Sequence, residues 1–214
     1  MLIKIKNLIP RNLKVFIKKF FNFNGYLNLD RQMLEFINYR SGFFIECGAN
    51  NGVDQSNTWH FEKKLGWNGI LIEPQKNVFK ELEKNRSKKN FFENCALKSF
   101  GQSNLRILYA DPSDTLITRS SKNSGRYIKK LKVKAKTLHS ILQRNQAPSR
   151  IDFFSLDVEG DELNVLKGIN FKKYIFSNIL VETLQFKKIN FFLKKEGYVF
   201  KKKLSDGDYL FQKK

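Results

Sequence analysis

The stretch FIECGANNG, residues 44–52, ends an apolar run on an acid and then places two glycines four residues apart. A buried strand that stops on a carboxylate and passes through a glycine turn toward a helix forms a ligand cradle in open α/β sheets. The strand-then-acid half of this pattern recurs three times. Ile70-Leu71-Ile72 runs into Glu73-Pro74, the apolar run from Ile151 into Asp157, and Ile179-Leu180-Val181 into Glu182. Such short continuous apolar runs suit strands covered on both faces. If the strands are parallel, their carboxyl ends share one edge, and the acids gather there by construction.

The intervening segments read as helices. Residues 54–65 carry Phe61 and Leu65 one turn apart, and residues 75–86 carry Val78 and Leu82 one turn apart. Residues 137–143 and a segment through Leu163 and Leu166 follow the same logic. Residues 91–97 read as one third strand, 105–109 as an extra strand, and 131–135 alternate with lysines at period two. The tail from Gly197 to Phe211 reads as a hairpin turned at Asp206-Gly207. This order predicts an α/β fold: a doubly wound, mostly parallel sheet with helices on both faces and a C-terminal antiparallel hairpin. The predicted division is a basic helical segment over residues 1–41, covering the domain or touching a membrane, and one α/β domain over 42–214. Residues 111–130, rich in Ser, Asp and Lys, read as a flexible loop over the acceptor side.

Composition narrows the partners. The chain carries a net charge of +20, with 41% hydrophobic residues. No apolar run approaches the ~18–20 residues that cross a bilayer. In residues 1–25, Leu13, Phe16, Ile17 and Phe20 recur at helical spacing among lysines, the pattern of a basic helix that lies on a membrane or folds back on the domain. Cys47 and Cys95 are the only cysteines, and both sit in apolar contexts. They read as reduced core thiols of a cytoplasmic protein, peripheral to the inner membrane face if residues 1–25 lie on a membrane rather than on the domain. No RNP-type motif or zinc spacing points to a specific nucleic-acid partner.

The first turn selects among ligands. A dinucleotide fingerprint would need glycine where Asn50 and Val53 stand, and no P-loop is present. Acid-x-Gly-x-x-x-Gly suits a ligand without a diphosphate, and S-adenosylmethionine is one. Gly48 and Gly52 leave room for it against the backbone, and Glu46 is placed to take its ammonium. Glu73 falls about 20 residues beyond the turn, where the second strand's acid meets a ribose. Cys95-Ala96 then flank the adenine.

With these motifs in order, the chain resembles the FkbM-type methyltransferases, which use S-adenosylmethionine in a class I Rossmann-like fold. The resemblance rests on Phe44 to Gly52, Ser56-Asn57-Thr58, Gly66 to Pro74, Leu156 to Glu162, Val165 to Gly168 and Ile179 to Glu182. It implies cofactor contacts from Glu46, Cys47, Gly48, Ala49, Asn50, Gly52, Asn57, Glu73, Pro74 and Asp157. It also implies methyl transfer to a hydroxyl, commonly of a sugar or polyketide. Relatives often place His after the last strand's acid; here Thr183 and Leu184 follow Glu182.

For chemistry, Asp157 is the first candidate base, with Glu159 as base or turn-former and Glu182 beside them. Asp157 and Glu182 also resemble the acids that hold Mg²⁺ in some O-methyltransferases. His60 is placed to reach the acceptor, and Arg119 and Arg126 favour an anionic sugar or glycan acceptor. The competing readings are a nicotinamide oxidoreductase, disfavoured by Asn50 and Val53, and a non-catalytic basic glycan- or membrane-binding protein on a methyltransferase scaffold.

Overall fold

Alternation along the strands splits their side chains between two apolar layers, and that split builds the molecule. The structure, a computed structural model, describes residues 23–110 and 129–214. In chain order its elements are α1 (Leu29–Met33), β1 (Phe43–Cys47), α2 (Trp59–Leu65), β2 (Asn68–Ile72), α3 (Lys76–Asn85), β3 (Phe91–Glu93), β4 (Ala96–Leu97), β5 (Leu105–Ala110), β6 (Lys129–Lys136) and α4 (Leu138–Arg144). They continue as β7 (Arg150–Leu156), α5 (Glu162–Leu166), β8 (Ile175–Glu182), α6 (Phe186–Lys195), β9 (Tyr198–Lys203) and β10 (Asp208–Lys213).

The main sheet runs β3-β2-β1-β7-β8-β10-β9. Strands β3 through β8 in that order pair in parallel, and the β9–β10 hairpin adds two antiparallel strands. This is the predicted doubly wound sheet with its terminal hairpin. One layer contains Ile45 and Cys47 of β1, Phe154 and Leu156 of β7, and Ile179 and Val181 of β8. The other contains Phe44, Phe153 and Leu180, together with Leu29, Met33 and Ile37 from the segment before β1. The described part of residues 1–41 therefore contributes to the core; residues 1–22, with the expected basic helix, lie outside the described residues. No helix among the described residues is long and apolar enough to cross a membrane.

Three local expectations are corrected. Residues 91–97 are not one strand: β3 joins the main sheet, and β4 leaves it to pair with β6 in a second sheet ordered β4-β6-β5. Asn94 makes the break, its amide donating to the carbonyls of Glu73 (2.8 Å) and Pro74 (3.2 Å). The first helix begins at Trp59 rather than 54, because Asn51 and Glu46 capture the backbone and side chains of the residues before it. Lys129 and Lys130 belong to β6 and not to a loop; residues 111–128 lie outside the described residues.

Candidate active site

The chain winds outward from β1 through β2 to β3, then returns to β7 on the other side of β1. The crevice beyond the carboxyl ends of β1 and β7 is the switch point where ligands bind in open α/β sheets. A cleft of about 1050 Å³ opens there, at the upper end of single-ligand pockets. Gly48 leaves β1 with φ +79°. A Cβ at this position would fall inside the shell of the Asp157 carbonyl oxygen, so the β1 and β7 turns can meet only with glycine here. The Asp157 amide donates to the Cys47 carbonyl at 3.1 Å, which locks the two turns together.

The cleft has two halves of different chemistry. In the first, Gly48, Asn50, Glu73, Pro74, Cys95 and Ala96 line the wall. The Glu73 carboxylate is buried, and it accepts from the backbone N–H groups of Asn50 (3.0 Å) and Gln75 (2.9 Å). Those two bonds fix the plane of a group that has about four acceptor sites. Cys95 and Ala96, both small and buried, line the cleft with it.

The second half is acidic. Asp157, Glu159, Glu162 and Glu182 line it. The register Leu156↔Val181 sets Asp157 and Glu182 side by side at the ends of β7 and β8. Their carboxyls share a hydrogen bond; burial first, then the charges of Glu182 and Glu159, hold Asp157 well above the usual carboxylate range. Glu159 is pushed up to about 7, chiefly by desolvation and then by Glu182 and Glu162. Its backbone is left-handed (φ 56°), a conformation that costs a non-glycine residue on the order of 1 kcal/mol. Glu162 is raised mainly by burial, and its side chain accepts from the Gly160 N–H at 2.6 Å.

Other expected residues stand elsewhere. Glu46 does not line the cleft. It shares the sheet face of Phe44, because side chains alternate along β1. Its carboxylate accepts from Ser56 Oγ, the Asn57 N–H (2.7 Å) and Thr58 Oγ1 (2.6 Å), and it pairs with Arg86 at 3.2 Å. Cys47 and Ala49 are core residues. Gly52 faces Leu82 and Arg86, and Asn57 donates to Ser155 Oγ at 3.1 Å. His60 is buried and stacked on Phe23, ring centroids 4.5 Å apart, away from the cleft. Arg119 and Arg126 lie outside the described residues.

The Mg²⁺ expected at Asp157 and Glu182 finds no support. Among the described residues no three His, Cys, Asp or Glu side chains are grouped to hold a metal ion. Sequence reasoning missed Arg86, whose side chain is fully buried and bonds Glu46, Glu62 (2.7 Å), Ser56 (3.0 Å) and Thr58 (2.9 Å). It also missed Arg106, which lines the cleft and ion-pairs with Asp161 there.

The strand order, the terminal hairpin and a cleft at the switch point define the class I methyltransferase fold. The chain belongs to the methyltransferase FkbM domain family, whose pattern matches residues 46–200. Among solved structures, the methyltransferase FkbM of Methylobacillus flagellatus is 17% identical (TM-score 0.49) over 80% of this chain. This chain spans 43% of the length of that relative. A methyltransferase from Geobacter sulfurreducens is 10% identical (TM-score 0.47) over 99% of this chain and 94% of its own. A putative RNA methyltransferase from Pyrococcus horikoshii is 14% identical (TM-score 0.46) over 86% and 82%. Comparison with curated proteins finds no match.

Proposed function

We propose that the chain is an S-adenosylmethionine-dependent O-methyltransferase acting on a hydroxyl of a sugar or glycan intermediate. The observation that carries this reading is the division of one cleft into a backbone-and-carboxylate half and an acid-rich half, meeting at Gly48 and Asp157. The first half fits the cofactor. Glu73 suits a ribose diol, Gly48 and Asn50 offer backbone, and Cys95 and Ala96 leave room for a flat ring. S-adenosylmethionine, when bound, supplies a methyl group already activated on a sulfonium.

The second half handles the acceptor. Glu159, with its pKa about 7, is poised between its charged and neutral forms and acts as the general base. Asp157 keeps a proton on the bond to Glu182, and the pair orients the acceptor hydroxyl. The acids of this half favour a neutral polyhydroxylated group at the point of reaction.

Thermal unfolding with S-adenosylhomocysteine tests the cofactor half, with NAD as control. Ligand at 100 times its Kd adds about 2.7 kcal/mol, a rise of roughly 5–11 °C for a chain of this size. The expected result is that rise with S-adenosylhomocysteine alone, and its loss in Glu73→Ala. No rise in the wild type would move the chain to the non-catalytic reading.

A further inference from the structure

The β5–β6 ribbon carries a face that borders the cleft at Ile107 and Tyr109 and extends beyond it. Antiparallel pairing sets Leu105 opposite Lys134, Ile107 opposite Lys132 and Tyr109 opposite Lys130. Opposed residues share a face, so these six form one surface. The exposure pattern agrees. Leu105 is 49% and Ile107 55% exposed, and all three lysines are exposed, while Leu108, Ala110, Leu131 and Val133 on the other face are covered or half-covered. Lys130, Lys132 and Lys134 have no acidic partner among the described residues. β4 pairs only with Ala135 and Lys136 of β6, so Lys130, Lys132 and Lys134 lie beyond its reach.

We infer that this face docks the domain on an anionic lipid surface. Two chemistries alternate on it: exposed aliphatic side chains and ammonium groups with no acidic partner among the described residues. A bilayer of anionic lipid satisfies both, taking the aliphatic groups between headgroups and the lysines at phosphate. A nucleic-acid strand satisfies only the lysines, since single-strand readers stack bases on aromatic rings and this face has one tyrosine. The position fits the same occupant. Ile107 also lines the cleft, and so does Leu184, which is 97% exposed. Two exposed aliphatic side chains thus border the cleft mouth, which opens beside the lipid-facing ribbon. An acceptor held at the membrane surface would enter there without leaving it. The docking itself stands independently of the proposed reaction, and its test uses no turnover.

The experiment is co-sedimentation of the full chain with phosphatidylcholine vesicles, with and without phosphatidylglycerol. Three proteins are compared: wild type, Lys130→Gln/Lys132→Gln/Lys134→Gln, and Leu105→Ser/Ile107→Ser. Each surface lysine is worth about fivefold in partitioning, so the triple variant should bind on the order of 100-fold more weakly. The aliphatic double variant should weaken binding at unchanged charge, and wild type should ignore vesicles without phosphatidylglycerol. Thermal unfolding of each variant checks that it is folded. Binding undiminished in the triple variant would assign membrane contact elsewhere, residues 1–25 included, and overturn the proposal. So would absence of wild-type binding. A double variant that binds vesicles as well as wild type, with an RNA oligonucleotide held by the same lysines, would also overturn it and make the face a polyanion site.

Discussion

Replacing Arg86 by methionine is expected to lower the melting temperature by roughly 6–20 °C at neutral pH. The figure follows from about 3–5 kcal/mol for removing one partner of a buried charge pair, at about 2–4 °C per kcal/mol for a chain of this size. Arg86 follows α3 and points back through the α2–α3 side of the sheet, where its side chain is fully covered. Its guanidinium bonds both Glu46 and Glu62, and it collects Ser56, Thr58 and the Gly52 carbonyl. Burial alone would push the Glu62 carboxyl up; the charges and hydrogen bonds of Arg86 and Lys63 together carry it below the usual range. Methionine fills much of the volume but leaves Glu46 buried without its cation and Glu62 with Lys63 alone. The sign of the pH response should then invert. In the wild type, Glu62 has a depressed pKa, so its stabilising contribution is present above the ordinary carboxylate range and lost as pH falls through the depressed value. In the variant only Lys63 opposes burial, the largest influence on Glu62, so the same carboxyl is raised, the native state binds the proton more tightly than the unfolded chain, and mild acid restores stability. Adding Glu46→Gln and Glu62→Gln should recover part of the loss at neutral pH. A fall of under about 1 kcal/mol, the value of an exposed pair, would mean water reaches the cluster.

That cluster marks where the sequence stops being legible. The apolar runs before Glu46, Glu73, Asp157 and Glu182 set the strands, and the absence of a dinucleotide glycine pattern separated the ligand classes. The parallel order then brought the strand-end acids to one edge, as the strand ends alone required. Direction was harder. Glu46 and Phe44 are two residues apart, so they share a face, and that parity was sufficient to turn Glu46 away from the cleft toward the helices. Arg86 carried no such signal, because the run EKNRSKK around it looks like solvated charge in a chain of net charge +20. Only the fold shows that it sits under two acids from β1 and α2. The break between β3 and β4 depends on Asn94 reaching carbonyls 20 and 21 residues away, a contact no local pattern encodes. Cys47, Ala49, Gly52 and Asn57 belong to the cofactor motif as a string of residues, yet they support the loop from behind.

Glu159→Gln should separate stability from turnover, moving them in opposite directions. Loss of a general base is worth on the order of 10²–10⁴-fold in rate, read as initial velocity with saturating S-adenosylmethionine and a sugar acceptor. In the wild type, kcat/KM should rise as pH passes through about 7, where Glu159 loses its proton in the free protein. The variant should lack that inflection. The stability argument uses the same charge. A carboxyl whose folded pKa is raised keeps its proton in the native state while the unfolded chain has already released it. Stability therefore falls as pH rises from the ordinary carboxylate range to about 7, and glutamine removes this contribution. The variant should melt higher than wild type in mild alkali and equal to it in acid. Asp157→Asn provides the discriminating comparison. Asp157 is raised by burial, by Glu182 and by Glu159, so the amide should also stabilise the protein at alkaline pH. It should leave the inflection near 7 in place, however, because the carboxyl that titrates there is still present. An inflection lost in Asp157→Asn and kept in Glu159→Gln would transfer the base to the Asp157–Glu182 pair, and Glu159 would then be a strained turn residue that only shapes the cleft wall.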